Sequence, residues 1–336
     1  MKKTTARGLP IIAVSAALVL SGCAGGAGEG EGAPAEGETL TLTLGHAGSE
    51  EDTRQIASLR FEELVEEMSG GDIQVEVYPS ATLGTWEEMI EGLQLGTTDV
   101  VVESLLSLET YTDLAGIETA PFLYEDEEQF FEVWDGELGA EIKGAIAEAS
   151  GYDALGNMYR GARQLTTKEA VETIDDVQGL TIRTPSAATM MATWDALGAR
   201  AEALAFNEVY SALESGVIDG QENPLDTILH NSFAEVAPYI AETSHVYANY
   251  HFLMWEDTLA GYPEEYQDII REAAQQVGEE YTAATIESEA EYRQELTDGG
   301  ATFTELTDRE AWVDATQPVI DSFPEQVKEW VSQIRG

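Results

Sequence analysis

The spacing of hydrophobic positions changes along the chain, and the changes mark its elements. Residues 39–44 read as a strand that Gly45 ends. Ala57, Phe61, Leu64 and Met68 recur at helical spacing until Gly70-Gly71 stops them. Residues 73–78 alternate as a half-buried strand does. Thr85-Trp86-Glu87-Glu88 has the form of a capping box and opens a helix that Gly96 ends. Residues 99–102 form a third, more apolar strand. Strand, helix, strand, helix, strand is the order of an α/β sheet, which takes ligands at its strand ends.

Further along, Phe130, Trp134, Leu138, Ile142 and Ile146 predict a helical stretch. Strands are expected near residues 154–158, at 180–184 before Pro185, and near 246–254. Helices are expected at 187–197 and 208–214. Pro263 opens a long helix with Tyr266, Ile270, Ala273, Val277, Tyr281 and Ala284 on one face, long enough to bridge two lobes. There is no internal repeat.

The first residues follow a different logic. Lys2, Lys3 and Arg7 precede an apolar run over residues 10–20, too short for a stable membrane span. This is the pattern of a secretory signal peptide over residues 1–22. The run ends in Leu20-Ser21-Gly22-Cys23, and Cys23 is the only cysteine in the chain. That string resembles a lipobox, the bacterial lipoprotein cleavage site, and makes Cys23 the expected lipidation site. Residues 23–38 carry no large apolar side chain and read as a lipidated tether, with an end-to-end distance on the order of 20 Å. The expected product is extracytoplasmic, anchored to the outer face of the cytoplasmic membrane and touching it only through the lipid.

Charge narrows the function. The 336 residues hold 64 Asp and Glu against 16 Lys and Arg, a formal charge of -48. Removing the leader takes away three basic groups and no acidic ones. Such acidity argues against nucleic acid as a partner. It also points to a salt-tolerant source, because screening shortens to about 3 Å at 1 M salt. No P-loop, G-x-S-x-G, H-E-x-x-H or C-x-x-C motif occurs, so no enzyme, metal or cofactor signature is present. The informative charges are the scarce cations. Arg160, Arg163 and Arg183 fall within 24 residues, and Arg183 ends an apolar strand before Pro185. An arginine at a strand end can present a planar fork to a carboxylate. The alternative on composition is that these arginines pair with the surplus acids on a solvated face.

From Gly156 onward the chain reads GNMYRGARQLTT, DDVQGLTIRTP, LAFNEVYSALESGVIDGQENPLDTI and AETSHVY. Together these segments resemble the extracytoplasmic solute receptors of TRAP transporters, the DctP type. The resemblance implies an α/β, two-lobed, periplasmic-binding-protein-like (Venus flytrap) fold with a long lobe-bridging helix. It implies residues 39–160 plus about 249–288 in one lobe, and 161–248 plus about 289–336 in the other. It further implies an organic-acid ligand, docking on TRAP membrane subunits, no catalysis and no cofactor. By position, Arg183 matches the arginine that salt-bridges the ligand carboxylate. Arg163 matches a second arginine at the same end, and Asn223 an asparagine that hydrogen-bonds the carboxylate. Phe206 matches an aromatic that packs on the ligand, and Glu103 a glutamate that binds its hydroxyls. Each has a structural alternative: Asn223 as a turn residue, Phe206 as core, Glu103 as a solvated strand tip.

Departures from the sialic-acid receptors shape the expected ligand. His46 stands in a segment where those receptors have an asparagine. Thr85-Trp86 stands where they carry an acidic-basic pair. A carboxylate together with several hydroxyls, read by Glu103, His46 and Trp86, describes a hexuronate or aldonate. Trp86 could equally stack on a zwitterion such as ectoine or sit in the core. His245 is placed near the cleft, in contact with ligand or in a hinge hydrogen bond. Sialic acid and C4-dicarboxylates remain alternatives within the family; a ligand sensor and a secreted α/β enzyme remain alternatives outside it.

Overall fold

A computed structural model describes residues 39–336 and arranges their strands in two sheets. The expected leader, Cys23 and the expected tether lie outside the described residues. The first sheet is built from β1 (Leu40–Gly45), β2 (Ile73–Tyr78), β3 (Val100–Glu103), β4 (Tyr152–Ala162) and β10 (Tyr247–Trp255), in the order β2-β1-β3-β10-β4. The second contains β5 (Gln164–Thr167), β6 (Thr181–Thr184), β7 (Arg200–Ala203), β8 (Gly220–Asn223), β9 (Tyr239–Glu242) and β11 (Thr302–Glu305), in the order β11-β9-β5-β8-β6-β7. The fold is two-lobed and α/β, as expected.

The chain passes directly from strand to strand between the sheets at two adjacent places, and a third passage runs through the long helix from β10 to β11. β4 leaves the first sheet at Ala162, and β5 enters the second at Gln164. The return runs from β9 at Glu242 to β10 at Tyr247. Arg163 sits at this crossing, and its backbone N–H donates to the Val246 carbonyl at 2.9 Å.

The expected long helix is Glu264–Asp298, 35 residues. Ile270, Ala273, Ala274, Val277 and Tyr281 pack in the core beneath the first sheet, with Leu42, Phe61 and Phe252. Leu296 packs in a second-lobe core with Ile218, Ile228 and Ile240. One helix thus serves both cores. It lies close on β4: a Cβ at Gly278 would stand 2.8 Å from the Asn157 carbonyl oxygen.

Local signals and structure agree where capping chemistry is explicit. Thr85 accepts from the Glu88 N–H at 3.3 Å, and Glu88 accepts from the Thr85 N–H at 2.7 Å, so the capping box is present. They differ at residues 130–146. Two helices, Glu127–Trp134 and Glu137–Ser150, replace one stretch, because the chain breaks at Asp135-Gly136. The C-terminal segment also divides. β11 and Trp312 go with the second sheet, whereas Ile320, Val327, Trp330 and Ile334 pack among Phe130 and Trp134 in the first lobe. The expectation that all of 289–336 belongs to the second lobe therefore fails for the last helix, Glu325–Arg335. Its apolar face fits the aromatic core there.

Candidate functional site: an arginine-lined cleft

In the first sheet β1 and β3 are parallel, and β3 ends in Glu103. In the second, β6 and β8 are parallel, with Arg183 opposite Gln221 and β8 ending in Asn223. β5 runs antiparallel to β8, so Arg163 just before it lies at the same sheet edge. The carboxyl ends of parallel strands are where α/β sheets hold ligands.

These ends line one cavity between the two sheets, at the place where α/β folds hold small molecules. One wall carries Arg54, Trp86, Glu103, Arg160 and Tyr250; the other carries Arg163, Arg183, Phe206 and Asn223. Four of the ten arginines that follow Arg7 therefore line one cavity in a strongly acidic chain. All four are buried, none more than 5% exposed.

Three of these guanidinium groups are held from behind in the same way. Arg54 donates from Nε and Nη2 to the two carboxylate oxygens of Asp52, at 2.9 and 2.8 Å. Arg163 donates from Nε and Nη2 to the Glu222 carboxylate, and from Nη2 to the Glu222 carbonyl at 2.7 Å. Arg183 donates from Nε and Nη2 to the Leu204 carbonyl, at 2.9 and 2.7 Å. Each keeps Nη1 outside these bonds. Arg160 differs: its Nη1 donates to the Ser104 hydroxyl at 2.9 Å, its guanidinium lies 3.8 Å from the Tyr250 ring centroid, and its Nε is buried without a partner among the described residues.

The electrostatics follow from burial and these partners. Burial alone would raise Glu222, but Arg163 and His245 outweigh it and hold its carboxyl down at about 2. Burial likewise works against the Arg54 charge, and Asp52 overcomes it, so Arg54 stands well above its ordinary value. Arg183 has no carboxylate partner within 4.0 Å among the described residues. Burial pushes it down to about 10, with Arg163 adding to the effect. It stays cationic at neutral pH, but as the least compensated charge of the second wall. A buried cation of that kind gains most from an incoming anion.

Local sequence explains the placement. Asp52 caps the helix Thr53–Met68 by accepting from the Arg54 N–H at 2.9 Å, and the same carboxylate fixes the Arg54 side chain. Gly48 leaves room for this pair: a Cβ there would stand 2.5 Å from the Asp52 carboxyl carbon.

Seven residues singled out in the sequence line the cavity: Arg183, Arg163, Arg160, Asn223, Glu103, Phe206 and Trp86. Trp86 also packs in the first-lobe core, so its two readings coexist. His46 and His245 do not line it. The His46 ring is fully buried, its Nε2 bonded to Gln55 Oε1 at 2.8 Å, and Ala47 takes the lining position. His245 stands behind Arg163, 3.2 Å from Glu222 and 2.8 Å from the Thr243 hydroxyl. Arg54 and Tyr250 were not anticipated. The signal for Arg54 was Asp52 two residues before it at a helix start.

A cleft lined from two lobes, with one helix packed in both cores, defines a two-lobed solute-binding protein. The chain belongs to the family 7 bacterial extracellular solute-binding proteins (DctP), whose model matches residues 44–326. It is an extracytoplasmic binding protein and not an enzyme. It is similar to a TRAP periplasmic solute-binding protein of Roseobacter denitrificans solved with bound L-galactonate. That match has 33% identity and a TM-score of 0.83, covering 89% of this chain and 99% of that one. A Sulfitobacter homologue solved with β-D-galacturonate is 28% identical, with a TM-score of 0.83 over 88% of this chain and 99% of its own. The sialic acid-binding periplasmic protein of Vibrio cholerae is 30% identical over 263 residues, 78% of this chain and 82% of that protein.

Proposed function

We propose that this protein captures a sugar acid, a hexuronate or an aldonate, through an arginine-carboxylate clamp and delivers it to TRAP membrane subunits. The observation that carries this reading is the concentration of four buried arginines around one cavity that also presents a carboxylate and aromatic faces. The ligand carboxylate meets Nη1 of Arg183 and Nη1 of Arg163, and an N–H of Asn223. The hydroxylated part faces Glu103, with Trp86, Phe206 and Tyr250 offering flat apolar surface. The L-galactonate and galacturonate found in the two homologues are ligands of this chemistry.

Binding draws the lobes together, because contacts to both walls exist only when both are near the ligand. Arg163 sits at the inter-sheet crossing, so a carboxylate held there acts on the strands that join the lobes. Cys23 carries the lipid, and residues 24–38 tether the body above the cytoplasmic membrane.

Isothermal titration of the purified protein with L-galactonate, D-galacturonate, D-glucuronate, sialic acid, ectoine and succinate tests the assignment. A hexuronate or aldonate is expected to bind more tightly than succinate, sialic acid or ectoine. Preference for one of the latter would overturn the hexuronate-or-aldonate assignment, and silence across the panel would overturn the carboxylate clamp.

A further inference from the structure

The charges around the cavity are nearly, but not fully, balanced. The lining contributes four guanidinium groups and one carboxylate, Glu103. Two further carboxylates, Asp52 and Glu222, are bonded to lining arginines and buried with them. Four positive charges against three negative leave one. The surplus is not shared evenly. On the wall of the first sheet, Arg54 and Arg160 face Asp52 and Glu103, which leaves nothing over. On the wall of the second, Arg163 and Arg183 face Glu222 alone, which leaves one positive charge.

Glu103 is fixed in that position. It is 8% exposed, its Oε1 accepts from the Ser104 N–H at 2.9 Å, and its Oε2 lies 3.9 Å from Arg54 Nη1. Arg54 cannot swing toward a ligand in its place, because Asp52 holds two of its nitrogens.

We infer that Glu103, with Arg54 locked against Asp52, is the residue that restricts this cleft to monoanionic sugar acids and excludes the corresponding diacids. The inference rests on the proposed function and adds the charge class of the ligand. One carboxylate satisfies the surplus on the second wall. A second, placed toward the first wall, meets Glu103 at short range in a low-dielectric cleft, where like charges repel strongly. A hydroxyl at the same place donates to Glu103 instead. An aldonate and its aldarate differ at that end alone, a hydroxymethyl against a carboxylate.

The test is titration of wild type and Glu103→Gln with L-galactonate and with galactarate. The amide keeps an oxygen for the Ser104 N–H, and a thermal melt checks that the variant remains folded. Wild type is expected to bind galactonate at least about tenfold more tightly than galactarate, and the substitution to narrow or reverse that ratio by about tenfold or more. An unchanged ratio in a folded variant overturns the inference and leaves the sugar-acid reading intact. Wild type that binds galactarate as tightly as galactonate also overturns it. Wild type that binds neither these nor any uronate removes the proposed function itself. If Glu103→Gln does not fold, Glu103→Met supplies the same comparison without the charge.

Discussion

The outer surface and the cleft use charge in opposite ways. Outside, carboxylates far outnumber cations, and pairs such as Arg271–Asp153 stand in water, with the arginine side chain 46% exposed. Inside, cations dominate the lining, every arginine is buried, and three are clamped through the same two nitrogens. Surface pairs contribute little, because water screens them and ordering long side chains costs entropy. Buried groups are different: each must be compensated, and whatever the protein leaves uncompensated is available to a ligand. The contrast teaches where to look for function in an acidic chain. The informative charges are the rare ones that the fold took out of water.

The largest expected effect breaks the compensation itself. Glu222 is fully buried between Arg163 and His245. Glu222→Ala leaves Arg163 without its partner and should lower stability by about 3–5 kcal/mol in chemical denaturation. A loss below 1 kcal/mol would mean that water or another group replaces the carboxylate.

Arg183→Ala comes next and acts on binding. The ligand carboxylate loses a desolvated partner, at a cost of about 2–5 kcal/mol in titration. The Leu204 carbonyl loses its donor as well, but that site is only part-buried. An affinity change under tenfold would move the clamp elsewhere, with Arg160 the first alternative.

Acidification sharpens the comparison at the cleft margin. Burial, with Arg54 adding to it, holds His46 at about 4, below its ordinary 6.5. Between those values the unfolded chain takes up a proton that the fold refuses, so stability falls as pH drops from 6.5 toward 4. The loss is about 3 kcal/mol at most. Glu222 and Asp52 are depressed carboxyls, both at about 2; their contribution is present above pH 4.5 and is lost only below it. Glu109, raised by burial, acts in the opposite sense to His46. The difference between wild type and His46→Gln therefore isolates the histidine. Parallel curves for the two proteins between pH 4.5 and 6.5 would contradict the assignment.

The smallest effect belongs to the surface. Arg271→Ala should change stability by less than about 1 kcal/mol. Salt acts on the whole acidic exterior: going from 0.1 to 1 M shortens screening from about 10 to 3 Å and should raise the melting temperature. A melting temperature that falls with salt would contradict that view of the surface.

How much of this was legible depended on which face of the molecule wrote the signal. β1, β2 and β3 were readable because their apolar residues meet the core. β8 was not readable as a strand. Gly220, Gln221, Glu222 and Asn223 are all buried, yet none is a large apolar residue. They are satisfied by each other and by neighbours: Gln221 donates to the Thr166 hydroxyl, Asn223 donates to Gln221, and Glu222 takes Arg163. Hydrophobic periodicity cannot see such a strand; only the motif around Asn223 pointed to it. β7 was missed for the opposite reason, being a largely exposed edge strand. At the site, Arg163, Arg183 and Asn223 were legible through resemblance to a family. Arg54 was overlooked, although Asp52, two residues earlier at the helix start, both caps the helix and clamps its guanidinium. His46 was placed one residue too early: its neighbour Ala47 lines the cavity while its own ring turns into the core.

The most direct test is a crystal structure of the protein with L-galactonate bound. The ligand carboxylate is expected within hydrogen-bond distance of Nη1 of both Arg183 and Arg163, near the Asn223 amide, with hydroxyls at Glu103. A carboxylate held by Arg160 or Arg54 instead, or a ligand outside this cleft, would contradict it.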